Sequence, residues 1–181
     1  MRHYALSAVG RDRPGIVAAV TEALLRHAVN IEDSQATILR GHFTMMLVVA
    51  TPDDVDVAAL RSDLDAVRDR LELEALALSE LAELDSAAEA APSHIVIVYG
   101  ADHPGIVHAV TAALAERGVD VTDMTTKLAG EEGEGEPLYA LMMEIALPGA
   151  GDAAELESAL TGVARAQGVD VSLRPLEPDT L

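Results

Sequence analysis

Cysteine and tryptophan are absent from this sequence, and its aromatic residues amount to one Phe and three Tyr. Without cysteine there can be no disulfide, no thiol nucleophile and no thiolate zinc site, and the composition fits a reducing compartment. With so few rings, the core has to be built from Val, Leu, Ile, Ala and Met, which suits thin layers of helix on sheet. The same scarcity argues against an RNA-recognition module, which needs base-stacking aromatics on its central strands and a basic surface.

Basic residues are also scarce. Twelve Lys and Arg face 31 Asp and Glu, a formal net charge of −19. Binding to a phosphate backbone relies on clustered cations that release counterions, so direct nucleic-acid binding is not expected. No apolar run reaches membrane-spanning length, and the N-terminal MRHYALSAVGRDRPG lacks the pattern of a secretory signal. The chain is therefore expected to be soluble and cytoplasmic, with no membrane partner. Neither a G-x-S-x-G turn, a Walker A loop nor a G-x-G-x-x-G run occurs, so catalysis has no visible carrier.

What the sequence does contain is a duplication. Gly10–Asp33 aligns without a gap on Gly100–Asp123 at a constant offset of 90, with 13 of 24 positions identical. Likeness resumes where FTMMLVV from Phe43 corresponds to YALMMEI from Tyr139. Such self-similarity marks two copies of one structural unit. The expected division is a first unit over 1–82, a linker over 83–92 and a second unit over 93–181.

Hydrophobic periodicity assigns the elements. Strands are expected over Arg2–Val9 and Ile95–Tyr99, each followed by a helix opened by Pro14 or Pro104. Val17, Val20, Leu24 and Ala28, matched by Val107, Val110 and Leu114, place one helical stripe against a sheet. Hairpins follow: Ile31–Leu39 with Phe43–Ala50 around Gly41, and Val121–Leu128 with Leu138–Leu147. Second helices carry Val57, Leu60, Leu64 and Val67, or Leu156, Leu160 and Val163. Last strands are expected over Leu71–Leu78 and Val169–Leu173. The order β-α-β-β-α-β predicts an α+β, ferredoxin-like unit, a four-stranded antiparallel sheet with both helices on one face. Met45, Met46, Met142 and Met143 are all expected to pack into the core.

The most informative segment joins the first strand to the first helix: GRDRPGI from Gly10, repeated as GADHPGI from Gly100. Asp12 and Asp102 can cap the free amides of the new helix, Pro14 and Pro104 fix φ, and Gly15 and Gly105 let another group approach the backbone. Exposed amides at a helix start also suit a carboxylate. Arg11 or Arg13 could make the first loop an anion cradle of the acylphosphatase kind, but Ala101 and His103 replace them in the second copy. The six histidines are scattered, and His103 and His108 stand five apart, not at the four-residue spacing of a helical metal site, so no metal is expected. The run Glu131–Glu136 lacks calcium-loop spacing and reads as a solvated hairpin loop.

The pattern D-[RH]-P-G-I-V, an amphipathic helix, and [AG]-V-[ND]-[IV] entering a second strand resembles the ACT domain, a regulatory module of amino-acid metabolism, in both halves of the chain. Two such units with little else look most like the family of the glycine cleavage system transcriptional repressor, whose members act through protein partners. Similar units occur beside the catalytic domain of formyltetrahydrofolate deformylases. The resemblance implies a non-catalytic protein that senses a small ligand, an amino acid, without any cofactor, and acts on a regulatory protein partner. A homodimeric assembly is compatible with it, as is a ligand-independent interaction module.

In ligand-binding ACT domains the strand-to-helix loop and the start of the second strand of an adjoining unit share an interface ligand. Carried over, that implies Asp12, Pro14, Gly15, Ile16 and Asn30 in the first copy, and Asp102, Pro104, Gly105, Ile106 and Asp120 in the second. Serine-binding loops of this kind commonly carry His and Asn where this chain has Gly10 and Asp12, or Gly100 and Asp102. Replacing Gly15 and Gly105 by Val is expected to weaken binding and leave the fold largely intact.

Overall fold

The computed structural model describes residues 1–82, 91–129, 138–149 and 152–176. The expected linker at 83–92 falls mostly outside these residues, and the acidic run Glu131–Glu136 entirely so. The chain divides into two compact units, Met1–Ala87 and Ala88–Leu181.

In the first unit the order is β1 (Arg2–Arg11), α1 (Ile16–Arg26), β2 (Asn30–Leu39), β3 (His42–Thr51), α2 (Val57–Arg70) and β4 (Ala75–Glu80). The second repeats it as β5 (His94–Ala101), α3 (Ile106–Ala115), β6 (Asp120–Ala129), β7 (Leu138–Ala146), α4 (Ala153–Gln167) and β8 (Asp170–Pro175). Each unit is an antiparallel sheet, ordered β2-β3-β1-β4 or β6-β7-β5-β8. This is the ferredoxin-like β-α-β-β-α-β arrangement expected from the periodicity.

Strand alternation determines which residues face the helices. From β1 these are Tyr4, Leu6 and Ala8, from β3 Phe43, Met45, Leu47 and Val49, and from β4 Leu76 and Leu78; they meet Ile16, Val20 and Leu24 of α1 and Leu60, Leu64 and Val67 of α2. The second core is assembled alike from Val96, Val98, Leu141, Met143 and Ile145 against Ile106, Val110, Leu114, Leu156 and Leu160. Burying each such side chain fully contributes about 1.5–3 kcal/mol, so each unit has its own apolar reason to fold.

Several expected details differ. Val17 is 47% exposed, and Ala28 lies beyond the helix with φ 53°, because the buried stripe of α1 runs through Ile16, Ala19, Val20, Ala23 and Leu24. The methionines divide by strand alternation: Met45 and Met143 face the helices, while Met46 and Met142 are 55% and 45% exposed on the opposite face. The last strands begin later than expected, because Leu71 and Glu72 (φ 50°), and Gly168 (φ 64°), make the chain reversal that ends α2 or α4. Every residue of β2 is exposed, as expected of an edge strand that neither helix covers.

Candidate functional site

The two strand-to-helix loops are built alike. In each, an exposed Asp is followed by a half-buried Arg or His, an exposed Pro and Gly, and a buried Ile that anchors the helix in the core. Gly15 and Gly105 occupy the N-cap positions with φ of 96° and 108°, in the left-handed region that glycine adopts without a steric penalty. Their carbonyls accept from Ala19 N and Ala109 N at 2.9 Å, the first helical hydrogen bonds.

That geometry corrects two sequence expectations. No side chain caps either helix, so Asp12 and Asp102 are not caps; the backbone N–H of Asp12 instead donates to the Gly41 carbonyl at 2.9 Å. The glycines are not ordinary first-turn residues, and Val at Gly15 or Gly105 strains the backbone instead of leaving the fold untouched. Pro14 and Pro104 stand two residues before the first helical residue, in the turn.

With no side-chain cap, the first amides of α1 and α3 are available for an external acceptor at the positive end of the helix. In the second unit the loop opens on a recess of about 470 Å³, lined by Asp102, His103, Pro104, Gly105, Ile106, Val107, His108 and Tyr139. Burial, and then the Asp102 carboxylate, push the Tyr139 phenol up, which keeps it a neutral donor at neutral pH. His103 Nε2 lies 2.8 Å from the Gln167 carbonyl and Nδ1 3.2 Å from that of Pro104. The Gln167 bond first, then the Pro104 bond and the Asp102 charge, raise the affinity of His103 for its proton.

Asn30 and Asp120 lie elsewhere. Asn30 pairs with Ala50, which also faces His3, whereas the Asp12 loop leaves the sheet after Arg11, opposite His42. Eight residues of β1 separate these levels, roughly 27 Å at the usual rise of a strand. Asp120 pairs with Ala146 at the end of the second sheet remote from Ala101. The loop of one unit and the second-strand start of that same unit are therefore at opposite ends of the sheet. Asn30 lies beside a groove of about 530 Å³ between α1 and β2, lined also by Ala18, Thr21, Leu25 and Val29.

Tyr139 and His108 were not singled out from the sequence as recess residues. The signal was the β5–β7 register, which puts Tyr139 across from Gly100, as Phe43 stands across from Gly10. The glycines there have a packing reason. A Cβ on Gly10 would lie 2.7 Å from Leu73 Cδ2, and one on Gly100 2.8 Å from Val169 Cγ1. A histidine at either position would collide with the residue that leads into the last strand, Leu73 or Val169. Among the described residues no group of three or more His, Asp or Glu side chains gathers in a metal-binding cluster, and no helix is long and apolar enough to cross a membrane.

Comparison with known proteins places this architecture. The ACT domain model matches residues 4–76, in its ACT_6 form, and again 94–160. The chain belongs to the ACT domain family and carries two ACT domains in tandem. A UPF0237 protein of Methanopyrus kandleri is 38% identical over 81 residues, 44% of this chain and 90% of that protein. The phosphoserine phosphatase SerB2 of Mycobacterium tuberculosis is 28% identical over 170 residues, 93% of this chain but only 39% of the phosphatase. Among solved structures, an unknown protein from Galdieria sulphuraria is 26% identical with a TM-score of 0.78, covering 97% of this chain and 99% of its own. A candidate glycine cleavage system transcriptional repressor shares the fold at 18% identity and a TM-score of 0.73, covering 98% of both chains.

Proposed function

We propose that this chain is a non-catalytic regulatory protein whose ACT domains take up a small amino acid and signal its level to a partner protein. The observation that carries the reading is the uncapped helix start after Gly15 and Gly105, set beside an exposed aspartate and, in the second unit, an open recess. The helix-start amides would take the ligand's carboxylate, and an aspartate or asparagine oxygen its ammonium, as donor and acceptor inventories require. Because Asn30 and Asp120 sit at the far end of their own sheets from the loop of their own unit, they would serve a loop supplied by a second copy of the chain. The site residues on this reading are Asp12, Pro14, Gly15, Ile16 and Asn30, with Asp102, Pro104, Gly105, Ile106 and Asp120. Tyr139 adds a neutral hydroxyl to the second.

Transcriptional regulation of amino-acid metabolism, including the glycine cleavage system, in the cytoplasm, is the biological setting the ACT architecture favours. The net charge of −19 favours action through a protein rather than on nucleic acid. Calorimetric titration with the common amino acids tests the proposal; saturable binding of at least one small amino acid is expected. No heat and no thermal stabilisation with any of them would instead favour an interaction module that works without ligand. The specific observation behind that second reading is the fully exposed, ten-residue edge strand β2, since unpaired edges invite pairing with another chain.

A further inference from the structure

We infer that His103 is a proton-operated clasp on the second ligand loop, and that Arg13 is its permanently charged counterpart in the first. The two residues occupy equivalent positions at the repeat offset of 90, and each is half-buried between exposed neighbours. Each reaches the same place, the chain reversal that ends the second helix of its unit. Arg13 Nη2 donates to Glu72 Oε2 at 3.4 Å, and Glu72 is the positive-φ residue of that reversal. His103 Nε2 meets the carbonyl of Gln167, the last residue of α4, immediately before the positive-φ Gly168.

The chemistry of the two clasps differs. Carbonyl oxygens only accept hydrogen bonds, and both ring nitrogens of His103 lie against one: Gln167 at 2.8 Å and Pro104 at 3.2 Å. A neutral imidazole carries a single N–H and can satisfy one of them; the imidazolium carries two and satisfies both. The groups around it favour the charged form. Asp102 adjoins it on the loop and the C-terminal end of α4 presents the negative end of a helix, while Tyr139 of β7 and His108 of α3, which line the same recess, bring no negative charge to it. The guanidinium of Arg13 keeps its charge throughout the physiological range. The sign follows from a raised pKa in the folded protein. The clasp is complete below the ordinary histidine value of about 6.5, and is lost as pH rises through the raised value of His103. Resting on the ligand-loop reading above, this makes uptake by the second unit weaken with rising pH while the Arg13 clasp of the first unit keeps its charge.

The test uses the ligand-free full chain, so it stands apart from whether any amino acid binds. Imidazole nitrogen shifts recorded against pH should show His103 titrating above the ordinary histidine value, with both nitrogens protonated on the acidic side. Amide exchange gives the mechanical readout. Protection of Ala109 N–H, bonded to the Gly105 carbonyl, is referenced to Ala19 N–H, bonded to that of Gly15. Their ratio should fall about two- to tenfold as His103 deprotonates, the range that loss of one net hydrogen bond corresponds to. In His103→Arg, which copies the first unit, the ratio should no longer respond to pH. A His103 titration at or below the ordinary value would overturn the proposal. So would a wild-type ratio that ignores pH, or the same pH response in His103→Arg.

Discussion

Gly15 and Gly105 show how little of a loop's requirement is steric contact. A Cβ on Gly15 meets nothing within 4 Å, and on Gly105 only Gln167 Oε1 at 3.7 Å, yet φ of 96° and 108° penalises any L side chain. Gly15→Ala should therefore cost about 1–2 kcal/mol in chemical denaturation, although space is available for the methyl group. Unchanged stability would mean that the loop can reach the helix by another backbone route. The four-residue spacing of DRPG and DHPG was readable in the sequence, but the backbone sign at the glycine was not. A helix start with Asp three residues before Gly looks equally like a side-chain cap, and only the positive φ shows that the glycine itself occupies the cap position. His103 was visible as a loop histidine. Its bond to the Gln167 carbonyl was not, because Gln167 is 64 residues away in sequence.

At the scale of elements, periodicity carried the order of strands and helices, while the faces needed the sheet. The paired methionines illustrate this. Met45 and Met46 are adjacent and chemically identical, and strand alternation sends one to the helices, at 5% exposure, and the other to the outer face, at 55%. Met45→Ala should cost about 2–5 kcal/mol, whereas Met46→Ala should stay within about 0.5 kcal/mol, as measured by urea midpoints of the two variants. Equal losses would show that the outer face around Met46 is covered in solution. Val17 misled for a related reason. Its spacing from Val20 and Leu24 is helical, but Ile16 and Ala19 already complete the stripe, so Val17 falls outside it. The late start of β4 has a similar origin: Leu71 and Leu73 continue the apolar pattern through a chain reversal, and Leu73 packs into the core without belonging to the strand.

For the whole molecule, the duplication was the most legible feature, since a gapless match at offset 90 requires no knowledge of structure. It carried the presence of two like units, while periodicity carried their fold class and the D-[RH]-P-G-I-V pattern the resemblance to ACT domains. It could not reveal that the loop and the second-strand start of one unit lie at opposite ends of a sheet, because that depends on strand register: Asn30 opposite Ala50, and Arg11 opposite His42. This separation makes the central claim specific, since no single unit can offer both elements to one small ligand. The most direct measurement is backbone amide chemical-shift mapping on the full chain with the amino acid that calorimetry identifies. The account predicts saturable shifts at the loop and first helical turn, Asp12–Ala18 or Asp102–His108, together with Asn30 or Asp120. Shifts confined to other surfaces, such as the recess lined by Arg61, Leu64 and Leu76, with the two loops unmoved, would contradict it.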